Sequence, residues 1–235
     1  MRSLKKRVLI ATDSLGAPRI NHETVYYEDT WPYKIKSYLD EKDIESFILT
    51  DNGLHSKDLL KLVQSKLILY RPCITVFQYG IVDCAPRAFT DKEKLIFRAL
   101  HIGTYVHKIG HKYHAKLSSF RNIPKVPLPQ FVNNVRLINE SMYEAGNSFI
   151  VNVPIANACS SYIKMSPNIQ IYISKYNEVL KKNCDRFVGD LACLPRNINE
   201  EIFLDDDYHH LNILGHELFY KAIKSCLNDL LCVYE

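Results

Sequence analysis

The chain has 235 residues, 47% of them hydrophobic, and its 30 lysines and arginines against 26 aspartates and glutamates leave a formal charge of +4. That length buries one substantial core, and with no Gly-, Ser- or Pro-rich run to divide it, residues 1–235 are expected to form a single domain. So small a basic excess gives no reason to expect nucleic acid as a partner.

In chain order, strands alternate with helices. KRVLIAT (6–12) reads as a buried first strand, and TWPYKIKSYLDEK (30–42) as a helix with Trp31, Ile35, Tyr38 and Leu39 near helical spacing. IESFILT (44–50) predicts a second strand that ends at the turn signal DNG. SKDLLKLVQSKLILY (56–70) reads as a helix, and CITVFQYG (73–80) as a third buried strand stopped by Gly80. VNNVRLINESMYEAG (132–146) and NSFIVNVPIA (147–156) give a helix with a glycine terminus and a fourth strand. A last helix follows, with Leu214, Leu218, Phe219, Ile223, Leu227 and Leu230 along one face. Strands regularly separated by helices imply a parallel sheet covered on both sides, whose ligands sit at the carboxyl ends of the strands.

No stretch approaches the ~18–20 apolar residues of a membrane span. The apolar run VLIA after the basic start is short for a signal-peptide core. Seven cysteines, odd in number and without Cys-x-x-Cys spacing, read as reduced thiols and predict a cytoplasmic protein.

Two stretches at opposite ends of the chain carry chemistry. ATDSLG places Ser14 on the turn leaving the first strand, either as part of an Asp-Ser helix cap or as an exposed nucleophile. DDDYHHLN (205–212) supplies what a serine nucleophile needs, a base and a carboxylate to orient it. Asp207 and His210 lie three apart, a spacing that lets the carboxylate turn back onto the imidazole. His209 must then point elsewhere, to a structural or rim position, and Asp205 and Asp206 read as solvated loop charges.

The blocks TDSL (12–15), NGLHSKDLL (52–60), QYGIVD (78–83) and DYHHLN (207–212), in that order, make the chain resemble the SGNH (GDSL-like) hydrolase family. The resemblance spans nearly the whole chain. It implies a flavodoxin-like three-layer α/β/α sandwich with a central parallel sheet. Ser14 would be the nucleophile, His210 the general base and Asp207 its orienting partner, with backbone N–H groups of Ser14 and Gly53 as the oxyanion hole. No cofactor or metal is called for. Where the family pattern reads Gly-x-Asn-Asp, this chain has Gly80, Ile81, Val82 and Asp83, so the asparagine donor to the oxyanion is replaced by a valine that donates nothing. Asp83 and Arg87 are candidate substrate-binding residues, and Arg87 is the candidate replacement donor. The stretch GIVDCAPR resembles a subgroup associated with bacterial surface-polysaccharide gene clusters.

A basic segment around residues 88–125 is longer than a crossover needs and is expected to be an insertion that shapes the cleft. His107, His111 and His114 are spaced for one helical face, but without an acidic ligand they predict a solvated basic face, not a metal site. With Lys108, Lys112 and Lys116 that face could meet an anionic glycan. Cys84 has no better-placed base than Ser14 and reads as a small buried residue. The leading expectation is a serine esterase or deacetylase acting on an acylated saccharide or small ester, in surface-polysaccharide metabolism. The alternatives are a saccharide O-acyltransferase using the same serine, and a non-catalytic carbohydrate-binding or scaffolding protein.

Overall fold

Three strands have almost no solvent-facing residues, which is why their sequences run apolar without alternation: β1 (Arg7–Thr12), β3 (Ile74–Gln78) and β4 (Phe149–Val153). A computed structural model describes residues 6–20, 23–205 and 207–232, with the side chains of His107 and His111 outside that description. The sheet has the order β2-β1-β3-β4-β5 and every pairing is parallel. Its edges are β2 (Glu45–Thr50), half-buried along most of its length, and the two-residue β5 (Arg186–Phe187). The result is a three-layer α/β/α sandwich of flavodoxin-like order.

The chain moves one way across the sheet from β1 to β2 and the other way thereafter, so right-handed crossovers put the helices on opposite faces. α1 (Trp31–Asp40) covers one face and packs on the last helix, α11 (Ile213–Cys232). α2 (Ser56–Ser65), α7 (Leu128–Glu144) and α9 (Ile169–Lys182) cover the other. The predicted stripe of α1 is the one buried: Trp31, Ile35 and Leu39 are fully inside, and each such side chain contributes roughly 1.5–3 kcal/mol. The N-terminus of α1 is joined to α11 by Trp31 N–H donating to Nδ1 of His216 at 3.2 Å. Burial holds His216 neutral, its pKa lowered to about 3.

Several boundaries differ from expectation. The helix expected to reach residue 70 stops at Ser65, and a 3-10 turn over Leu67–Tyr70 tucks Leu67 into the core while Leu69 stays outside. α7 starts four residues earlier than its periodicity suggests, because Pro129 is tolerated in a first helical turn. On α11, Leu214 is exposed and Gly215 and His216 take its place against the core. Between the fourth strand and the loop that carries Asp207, where no element is expected, lie α8 (Ser160–Met165), α9, β5 and α10 (Arg196–Glu201).

After β3 comes the one-turn α3 (Ile81–Cys84). The basic segment follows as α4 (Asp91–Ala99), α5 (Gly103–Lys112) and α6 (His114–Arg121). It leaves and returns at one place, where Pro86 bridges Pro124 and Arg87 N–H donates to Ile123 O at 2.9 Å. Inside it Glu93 accepts both terminal nitrogens of Arg121, at 2.6 and 2.9 Å, which holds the Glu93 carboxyl down at about 2. His114 starts a new helix after Tyr113, so the three histidines do not share one continuous helix. The side chains of His107 and His111 lie outside the described residues.

Candidate active site

The strand order reverses direction between β1 and β3, and that crevice at the carboxyl end of the sheet is where such folds bind ligands. Ser14 stands in it, as the first residue of a 3-10 turn directly after β1. The helix-cap reading of the Asp-Ser pair falls on Asp13, and Ser14 itself is buried rather than exposed. Asp13 is the cap, with Oδ1 accepting Leu15 N–H at 2.9 Å, and this leaves the Ser14 hydroxyl for other work.

That hydroxyl donates to Nε2 of His210 at 3.0 Å, and Nδ1 of His210 donates to Oδ2 of Asp207 at 2.6 Å. The loop holding them is pinned at both ends. Phe203 bridges Leu211, Leu204 N–H donates to His210 O at 2.9 Å, and Asn212 caps α11 by accepting Gly215 N–H at 2.9 Å. Oδ1 of Asp207 accepts the backbone N–H groups of His209 (3.1 Å) and His210 (3.0 Å), so the carboxylate is fixed as well as charged. Partial burial opposes ionisation of Asp207, but the hydrogen bonds from the His210 ring and from these N–H groups outweigh it. Its carboxyl lies well below the usual range. With an ionised carboxylate on Nδ1, the proton of a neutral His210 sits there and Nε2 faces Ser14 as an acceptor.

His209 makes other contacts. Its Nδ1 donates to the Asp207 carbonyl at 2.8 Å and its ring stacks on Tyr162 with centroids 5.3 Å apart. Burial and the adjacent His210 lower its pKa. Asp207, His209 and His210 bring ligand atoms within 4.8 Å of one another. A metal there would have to displace the hydrogen bonds that orient His210. Asp206 lies outside the described residues.

Among the described residues, neither Ser14 N–H nor Gly53 N–H has an acceptor within the chain, while their neighbours do: Asp13 N–H donates to Gln78 O, Gly16 N–H to Asp13 O and Leu54 N–H to Asp51 O. Gly53 is on the turn after β2, the strand beside β1, at φ +80°, a conformation that favours glycine. Both are therefore open donors at the same end of the sheet.

The two expected substrate-binding residues stand elsewhere. Asp83 is fully buried, and its carboxylate is taken up by Ser56, whose N–H lies 3.0 Å from both oxygens and whose Oγ donates at 2.6 Å. It fastens the start of α2 beneath β3 and is out of a substrate's reach. Arg87 is half-buried and directs Nη2 to the carbonyl of Val82 at 3.4 Å. No described hydrogen bond links it to Ser14 or His210.

A different arginine is in the site. Arg19 Nη2 donates to His210 Nε2 at 2.5 Å. Its backbone is held by an antiparallel bridge to Val25. Pro18-Arg19 follows closely on the Ser14 turn in the sequence, but nothing local says which way that side chain points.

Burial raises the carboxyl groups of Asp13 and Asp83 to about 7 each, against the lowering effect of their hydrogen bonds. A folded-state pKa above the unfolded value contributes stability that is full below about pH 4 and is lost as pH rises to about 7. Asp13→Asn keeps an oxygen for Leu15 N–H and removes this titration. Chemical unfolding from pH 4 to 8 should show the wild type losing stability relative to Asp13→Asn by an amount on the order of a few kcal/mol, levelling off above pH 7. A difference that does not vary with pH would contradict it.

A cleft of about 610 Å³ lies away from the serine, in the basic segment between Phe89, Phe97, Arg98, Thr104 and Lys108. None of the hydrogen-bonded relay lines it, so the chemistry marks the site and the volume does not.

No family model matches the chain, and no curated protein matches it. Solved structures do. TesA superposes with a TM-score of 0.60 over 96% of this chain and 99% of its own, at 12% identity. The psychrotrophic esterase EstA from Pseudoalteromonas sp. gives 0.58, covering 97% and 99%, at 13% identity. Axe2, an acetylxylan esterase from Geobacillus stearothermophilus, gives 0.57, covering 93% and 92%, at 14% identity. At these identities the likeness is one of fold, the SGNH hydrolase fold, over almost the full length of each chain.

Proposed function

We propose that the protein is a serine hydrolase of the SGNH type that removes an acyl group, acetate in the simplest case, from a saccharide. The observation that carries the reading is the relay itself: Asp207 to His210 at 2.6 Å and His210 to Ser14 at 3.0 Å, at the switch point of the sheet. His210 takes the hydroxyl proton as Ser14 Oγ attacks the ester carbonyl, and returns it to the departing sugar oxygen. Water then attacks the acyl-enzyme with His210 again as base. The open N–H groups of Ser14 and Gly53 suit the oxyanion. Val82 adds no donor, so turnover is expected to be modest.

An acylated saccharide is the substrate class that the acetylxylan esterase neighbours favour, and the GIVDCAPR stretch favours bacterial surface-polysaccharide metabolism as the setting. Exposed Lys108, Lys112 and Lys116 on α5 and α6 suit an anionic glycan. The test is acetate release from a panel of acetylated mono- and oligosaccharides, run with and without acceptor sugars and with Ser14→Ala as control. Release that depends on Ser14 supports the hydrolase, and transfer to an acceptor in preference to water would make it an acyltransferase. No release and no transfer, with saccharide binding retained, would leave the non-catalytic binder.

A further inference from the structure

The base in this site is occupied. A neutral imidazole offers one lone pair, here on Nε2, and two donors meet it: Ser14 Oγ at 3.0 Å and Arg19 Nη2 at 2.5 Å. A guanidinium has no acceptor and does not give up its proton, so Arg19 can only consume that lone pair. Proton abstraction from Ser14 needs the same lone pair free. This arrangement is therefore the resting one, and Arg19 must withdraw before His210 acts.

What draws it away follows from its own surroundings. Among the described residues no carboxylate comes within ion-pairing distance of Arg19, and its Nε is buried without a hydrogen-bond partner. Asp207 is committed to His210, and Asp13, which feels the Arg19 charge, is walled off beneath the turn with no exposed surface. The other charged or titratable groups around the imidazole are His209, Tyr162 stacked on it, and Arg87, which acts electrostatically on Tyr162. None supplies a free negative charge. A half-buried guanidinium with an unsatisfied N–H, set beside His210 with no carboxylate of its own, suits an oxyanion through charge-assisted hydrogen bonds.

The geometry points to Arg19 as a recognition latch: it rests on His210 Nε2, and an acidic group on the substrate, a carboxylate or a phosphate, pulls it off and so frees the base. This rests on the hydrolase reading above and narrows its substrate to acyl esters of acidic saccharides. Arg19 takes no part in the bond changes; it positions the substrate and controls when His210 can accept the Ser14 proton.

The experiment compares acetylated glucose, acetylated glucuronic acid and acetylated glucose phosphate in wild type and in Arg19→Gln. In the wild type, KM for at least one acidic sugar should lie about tenfold or more below that for acetylated glucose, the scale of one charge-assisted contact. The two acidic sugars tell carboxylate from phosphate. In Arg19→Gln that preference should disappear while kcat/KM for acetylated glucose rises, because the lone pair is free. Arg19→Lys, which keeps the charge but loses the fork, should retain a weakened preference and serves if the glutamine variant does not fold. Equal KM values in the wild type, or loss of acetylated-glucose turnover in Arg19→Gln as severe as the loss on acidic sugars, would overturn the latch. A second readout does not depend on turnover. In ¹⁵N-histidine-labelled protein, glucuronate or phosphate should move the His210 Nε2 resonance in the wild type and not in Arg19→Gln. A protein that hydrolyses none of the esters but shows this response keeps the anion site and loses the hydrolase reading; a resonance unmoved by either anion removes the latch.

Discussion

Replacing Ser14 with alanine should lower turnover of an acetylated saccharide by about 10⁴-fold or more, and His210→Ala should do the same. The two changes should not add. Ser14 Oγ and His210 Nε2 share one proton across 3.0 Å, so once either is gone the other has nothing to do, and the double variant should match the singles. His209→Ala is the control on the same loop: its ring stacks on Tyr162 and bonds the Asp207 carbonyl, so its removal should cost far less. Steady-state kinetics on folded variants checks this. Additive losses would mean that the two residues do not act as one unit.

The second large effect is expected at Asp207. Asparagine keeps the shape of the carboxylate and its acceptor oxygen for the backbone N–H groups of His209 and His210. It removes the charge, and its amide can donate to Nδ1 of His210. That moves the imidazole proton to Nε2, where it points at the Ser14 hydroxyl it should accept from. A loss of about 10⁴-fold in kcat with KM little changed is the expected result, the scale set by the wrong tautomer in other serine hydrolases. Because the Asp207 carboxyl lies well below its usual range, the wild-type relay keeps its charge through mildly acid pH. A kcat for Asp207→Asn close to wild type would show that His210 is not oriented in this way.

How much of this could be read from the sequence varies by residue. The central strands were legible because burial on both faces demands continuous apolar runs, as in RVLIAT and ITVFQ. That Ser14, Asp207 and His210 would meet was legible from a serine on the turn after the first strand, an Asp-x-x-His loop and the order of blocks that resembles the SGNH family; their hydrogen bonds bring them together as expected, and their roles remain the proposal above. Arg19 was not, since its meaning lies in a contact with a residue 191 positions away. Asp83 was misjudged for the converse reason: an aspartate after Gly80 reads as available, and only the packing of α2 against α7 reveals the Ser56 and Asn134 hydrogen bonds that enclose it. The helices between 157 and 206 escaped notice because α8 and α10 are a turn or two long. α9 does carry a buried stripe at helical spacing, Ile169, Ile173, Tyr176 and Leu180, interrupted by polar and charged residues on its other faces.

The central claim is that Ser14 is a nucleophile activated by His210. The direct measurement is reaction of the purified protein with a fluorophosphonate, followed by peptide mapping by mass spectrometry. The account predicts a single adduct on Ser14 that forms in the wild type and is lost or strongly slowed in His210→Ala. Ser14 left unmodified in the folded wild type and in Arg19→Gln alike, or an adduct formed at the same rate without His210, would contradict it.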